Sequence, residues 1–201
     1  MKTNIILALL CLVTFTNCTK SDKTTANLKE AIIGETTASS KYAAFAQEAY
    51  IQGNEAIAKL FKATSISEAI HAANHKMVLF ELGVTFDNSS APYEVKSTAE
   101  NLQVALNGEN YEVSTMYPQF LAEATSASEV KATQSFQYAL DTEKKHQILF
   151  TKAIDASKNE TKNTLSLNYM VCPLCGNTYE KEKVDDKCAF CQTSKDLFVG
   201  I

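Results

Sequence analysis

The sequence predicts an all-α four-helix bundle with one long crossover, followed by a small C-terminal metal-binding domain. Three observations carry this reading. Apolar residues recur at spacings of three and four along four separate stretches between residues 28 and 154. Two of the connections are tight, whereas 83–97 is long enough to run the length of a bundle. Beyond a polar stretch, the last residues hold Cys172-x-x-Cys175 and Cys188-x-x-Cys191. At 201 residues there is room for one ordinary core and a small appendage. A net charge of -4 leaves no basic footprint for nucleic acid.

Residues 1–18 read as a targeting segment: Lys2, then an apolar run from Ile5 to Val13, then a polar exit. The run is shorter than the roughly 20 residues a membrane span needs, and the pattern fits a secretory leader. A Cys at its end, Cys18, resembles a bacterial lipoprotein signal in which that residue is lipidated, although Asn17 stands where a small residue is usual. The expectation is therefore an envelope lipoprotein anchored at Cys18, touching membrane only through its lipid, with secretion to the periplasm as the alternative. Of six cysteines, Cys11 then leaves with the leader and Cys18 carries lipid, so four remain, all in the tail. Paired thiols outside the cytoplasm can oxidise, but two Cys-x-x-Cys pairs in a small domain point to a metal.

Residues 19–26 are polar and read as a tether, and 27–157 as the bundle. The first stripe runs through Leu28, Ile32, Glu35, Ala38, Tyr42, Phe45 and Ala49, and Gly53-Asn54 breaks it. The second holds Ile57, Leu60, Phe61, Thr64, Glu68, His71, His75, Val78 and Leu82, and stops at Gly83. After the crossover, Thr98 and Asn101 offer capping groups to a third helix holding Leu102, Ala105, Leu106, Glu109, Glu112, Val113, Met116 and Phe120. The fourth holds Val130, Thr133, Phe136, Leu140, Glu143, His146, Phe150 and Ile154. One long crossover between two hairpins is the ferritin-like arrangement. Residues 158–168 read as a linker, and 169–201 as the metal-binding tail.

Each stripe carries glutamate where an apolar residue is expected. Glu35, Glu68, Glu109, Glu112 and Glu143 therefore point inward together with His71 and His146. A buried carboxylate costs several kcal/mol even after relaxation, and no Lys or Arg lies on these stripes to offset it. Cations must fill the space. Glu68 with His71, and Glu143 with His146, stand three residues apart and so share a helix face. One Glu from each of two helices plus Glu-x-x-His from the other two is the ligand pattern of di-iron and di-manganese carboxylate proteins; oxygen and imidazole donors suit iron or manganese and leave zinc open. His75 shares this face one turn later but lies outside the motif, and reads as a core histidine.

The chain thus resembles a rubrerythrin. The likeness is carried by residues 27–35, by Gly108-Glu109-Asn110-Tyr111-Glu112 continuing to Phe120, by the two Glu-x-x-His motifs and by Cys172-Pro173-Leu174-Cys175-Gly176. It implies a non-haem di-iron centre at Glu35, Glu68, His71, Glu109, Glu112, Glu143 and His146, with one iron exchanging between His71 and Glu112 as its oxidation state changes. It also implies that Tyr42 and Tyr117 hydrogen-bond ligand carboxylates. The tail resembles rubredoxin, with one iron held by Cys172, Cys175, Cys188 and Cys191, zinc being the alternative. Gln192 stands where the second knuckle usually has Gly, which predicts a strained turn. The activity implied is reduction of hydrogen peroxide to water, with electrons from a donor the sequence does not name. A homodimer in which one subunit's tail serves the other's cluster is implied as well. The rival is a ferroxidase or an iron- or zinc-binding protein whose tail is a structural zinc ribbon.

Overall fold

The computed structural model describes residues 18–87 and 90–201, with side chains from Asp22 onward. The leader, and the Cys18 side chain on which lipidation is expected, fall outside what is described. The helices are α1 (Cys18–Ile51), α2 (Glu55–Glu81), α3 (Thr98–Tyr111), α4 (Tyr117–Ser126) and α5 (Val130–Lys158). Gly53, at φ +72, and Gly83, at φ +77, end α1 and α2 in the left-handed region that glycine adopts without a Cβ penalty. The two hairpins and the crossover stand as expected. Ala91 and Tyr93 of the crossover hydrogen-bond to Thr37 and Ser40, strapping it along α1.

Four local expectations are corrected. Residues 19–26 are not a tether but the opening turns of α1, because buried Thr24, Asn27 and Leu28 extend its inward stripe. The α3 cap is Ser97, in a reciprocal capping box with Glu100. Thr98 and Asn101 instead bond Gln52 and the Lys96 backbone. The third stripe is not one helix: a π-helical turn, Glu112–Met116, separates α3 from α4. Such turns insert a residue and concentrate at functional sites. Finally, 158–168 is no free linker. Leu165 is buried, and Lys162 Nζ donates to Asn54 Oδ1 at 2.6 Å.

The bundle is layered. One apolar cluster gathers Tyr42, Phe45, Phe61, Leu102 and Phe150; another gathers Leu28, Ile32, Leu79, Tyr117, Phe120 and Phe136. Each helical stripe crosses from one cluster to the other through its glutamates, so the charged layer lies between two apolar ones. Of the stripe residues only Val130, at the start of α5, is largely exposed. The tail is a three-stranded antiparallel sheet, β1 (Tyr169–Val171), β2 (Thr178–Glu180) and β3 (Val199–Gly200), in the order β2-β1-β3. Tyr169 and Val171 are buried in the first apolar cluster, which anchors the tail to its own bundle. Tyr179 and Phe198 pair at 5.6 Å in the tail's minor core, with Phe190 against them.

Candidate metal centres

Glu35, Glu68, His71, Glu109, Glu143 and His146 are all essentially excluded from solvent and converge from α1, α2, α3 and α5. His71 Nδ1 lies 2.8 Å from Glu143 Oε1, 3.1 Å from Glu68 Oε2 and 3.9 Å from Glu35 Oε1. His146 Nδ1 lies 2.6 Å from Glu143 Oε2, 3.2 Å from Glu68 Oε1 and 3.7 Å from Glu109 Oε2. Two donor sets follow: Glu35, Glu68, His71 and Glu143, and Glu68, Glu109, Glu143 and His146, the donor atoms of each within 4.8 Å of one another. Glu68 and Glu143 belong to both and offer one oxygen to each side. Two cations could thus be held by Glu35 with His71 and by Glu109 with His146, with Glu68 and Glu143 shared between them. Glu112, on the π-helical turn and partly exposed, belongs to neither set.

The test of fit is hydrogen bonding. Glu35 Oε2, both Glu68 oxygens, His71 Nδ1, Glu109 Oε2 and Glu143 Oε1 are buried with no hydrogen-bond partner despite these short separations. Lone pairs face lone pairs, an arrangement that costs free energy unless cations occupy the centre. Protons alone are a poor substitute. Burial, and then the neighbouring Glu143 and Glu68, raise Glu35 to about 7 and Glu109 far above the carboxylate range. Glu143 alone is held low, against burial, by His71 and His146.

The imidazole tautomers are set by the tail. His71 Nε2 faces the Cys175 carbonyl at 3.2 Å, and a carbonyl only accepts, so Nε2 carries the proton and the Nδ1 lone pair is left facing the carboxylates, available to a metal. His146 Nε2 meets Thr178 Oγ1 at 3.0 Å, while that hydroxyl donates to the Gly176 carbonyl at 3.2 Å. Ser67, His71 and Asn74 share one face of α2 and engage three successive carbonyls, those of Gly176, Cys175 and Leu174. Gly176 sits at φ +80, and a Cβ there would drive into the His71 imidazole. Sequence reasoning missed Ser67, Asn74 and Thr178; only the 67/71/74 spacing hinted at them.

Two tyrosines brace the cluster from opposite apolar layers. Tyr42 donates to Glu109 Oε1 at 2.7 Å, and Tyr117 donates to Glu35 Oε1. Burial, then the adjacent carboxylates, raises both phenols well above their ordinary range, so both stay protonated donors. His75 is absent from both donor sets. Its Nε2 lies 3.1 Å from the Tyr117 hydroxyl and its Nδ1 2.7 Å from Ser135 Oγ, and burial, then His71, pushes it down to about 3.

In the tail, Cys172, Cys175, Cys188 and Cys191 bring their sulfurs within 4.8 Å of one another as free thiols. The Tyr179 hydroxyl donates to Cys188 Sγ at 3.5 Å and accepts from Ala189 N and Asn177 Nδ2. The strain expected at Gln192 is present: it sits at φ +62, matching Gly176 in the other knuckle.

A ferritin-like bundle with a carboxylate-histidine pair of metal positions and a tetrathiolate tail defines a di-metal carboxylate protein with a rubredoxin-like domain. The family model for rubrerythrin matches residues 26–154, and the chain belongs to the rubrerythrin family. It is 37% identical to rubrerythrin-2 of Clostridium acetobutylicum over 174 residues, covering 85% of this chain and 92% of that one. It is 36% identical to nigerythrin of Nitratidesulfovibrio vulgaris over 178 residues, covering 87% and 84%. A solved structure of nigerythrin in a mixed-valence state superposes with a TM-score of 0.80 at 35% identity, covering 89% of this chain and 86% of that one.

Proposed function

We propose that this chain is a peroxidase that reduces hydrogen peroxide to water at a di-iron centre, taking up electrons through an iron bound by the four tail cysteines. The observation that carries this reading is the seating of the first knuckle on a ligand histidine. From Cys175, one hydrogen bond leads to His71, whose other nitrogen faces the bridging carboxylates. A purely structural zinc ribbon has no need of that contact.

The balance is one peroxide, two protons and two electrons to two waters. An iron pair held by Glu35, Glu68, His71, Glu109, Glu143 and His146 would supply the two electrons and Lewis acidity. The chain's own residues do the rest. Glu68 and Glu143 hold the two positions at one spacing. Tyr42 and Tyr117 fix the rotamers of Glu109 and Glu35. The aromatic layers around Phe61 and Phe136 keep water from the carboxylates on both sides. Glu112, outside both donor sets, is the carboxylate left to take over from His71.

The test is direct. Iron-loaded protein, reduced anaerobically, should have both centres reoxidised by peroxide in preference to oxygen. Loss of the peroxide reaction, or a colourless tail, favours the ferroxidase or zinc-ribbon reading. The proposal includes a homodimer, checked by sedimentation, although within one chain the tail already reaches its own cluster. It also includes a lipid anchor at Cys18, which the mass of the mature N-terminus checks; an unmodified Met1 would remove it.

A further inference from the structure

Helix α5 presents one face to the tail. Tyr138, Thr142, Lys145, His146 and Leu149 recur at helical spacing, and this face packs on the metal-binding domain. Lys145 is unlike its neighbours. Lys144 is paired with Asp141 and Lys152 with Glu180, whereas Lys145, half-buried, makes no ion pair among the described residues. Its Nζ lies 4.4 Å from the Tyr179 ring centroid and 5.2 Å from that of Phe190. The Tyr179 hydroxyl in turn donates to Cys188 Sγ. Burial lowers Lys145 from its ordinary range, and the Cys188 and Cys175 sulfurs, then Asp185, act against that.

We infer that Lys145 is a positioning residue that raises the reduction potential of the tail iron when the tail is docked on the bundle. This rests on the reading of the tail as an iron-bearing electron port. Four thiolates around ferric iron carry a net charge of -1, and one electron from an external reductant makes it -2, with no bond formed or broken. A cation held nearby, out of bulk water, stabilises the more negative state. The cation–π contact supplies the holding force without a carboxylate that would cancel the charge. Because Lys145 belongs to the bundle and the thiolates to the tail, the effect exists only in the docked arrangement. By linkage, reduction must then tighten docking by the same factor that docking favours reduction. A reduced tail is clamped beside the di-iron site, and an oxidised one is held less firmly, free to meet its next reductant.

The experiment is redox titration of the iron-loaded full chain, without peroxide, following the visible absorption of the tail iron. Lys145→Met, which keeps the stem on the rings, should lower the midpoint potential. Lys145→Arg should restore it, and Lys144→Gln should leave it unchanged. Protease cleavage within 159–168 should be slower in reduced than in oxidised protein, and Lys145→Met should abolish that difference. Equal potentials in wild type and Lys145→Met overturn the inference. So does an equal drop in Lys144→Gln, which would mean an unspecific surface effect. A tail that stays colourless after iron loading overturns the inference and the electron-port reading together. A normal potential pattern with no peroxide reaction sinks only the peroxidase reading.

Discussion

The two metal sites are built on opposite principles. The bundle site is a layer of buried charge clamped between two large apolar clusters on helices of up to 34 residues. The tail site is four thiols on turns joined by strands of two or three residues, with a minor core of a few side chains. The first fold can exist without its metals and pays for the site in stability. The second is too small to hold its shape on burial alone and takes its stability from the ion. Docking joins them, since the scaffold of the weaker site sets the tautomers of the stronger.

The sharpest way to break the comparison is to remove a bridging carboxylate. Glu68→Leu should lose both metal positions, read as metal content per chain. It should at the same time stabilise the metal-free bundle by about 1–4 kcal/mol if the apolar side chain packs well, read as a raised melting temperature. A destabilised apoprotein would mean that the charged layer is not under strain.

Next in size is the junction. Gly176→Ala places a Cβ at φ +80 and against His71, a conformational cost of about 1–2 kcal/mol before the clash. The tail should keep its colour while its oxidation by peroxide slows about a hundredfold, the scale of a misplacement of about 1 Å.

Proton linkage separates the apo and metal-bound bundles. Glu35 is raised to about 7 by burial and its acidic neighbours, and Glu109, His71 and His146 are raised as well. Groups with raised folded values stabilise most when protonated, so apoprotein stability should be greatest near pH 4.5 and fall as pH rises through 7. Glu143, held low, opposes this only at more acidic pH. Metal binding displaces these protons, so the metal-bound form should gain stability over the same interval. Parallel slopes in thermal melts across pH 5–8 would contradict the assignment.

The smallest effect is in the second knuckle. Gln192→Gly should relieve the φ +62 strain and stabilise the tail by about 1 kcal/mol, with the visible spectrum unchanged.

The bundle was legible because helical period and burial leave the same trace in sequence: Leu28 through Ala49 and Phe136 through Phe150 point where the spacing says. The candidate ligands were legible because a glutamate on an apolar stripe contradicts its surroundings. The π-helical turn was not, since Glu109-x-x-Glu112 has the same spacing in a regular helix. Tail docking was hidden for another reason: the groups that dock are the carbonyls of Leu174, Cys175 and Gly176, which every residue has. The opening of α1 was misread because Ser, Thr and Lys look like a tether until Thr24 and Asn27 find a surface to cover.

The central claim is that docking makes the two sites one electron path within a chain. The measurement that tests it is the rate at which the tail iron of fully reduced protein colours after mixing with excess peroxide, over a wide range of protein concentration. Docking predicts oxidation of the tail at a rate independent of protein concentration and collapsing in Gly176→Ala. A rate that scales with protein concentration, or one unchanged in Gly176→Ala, would contradict it.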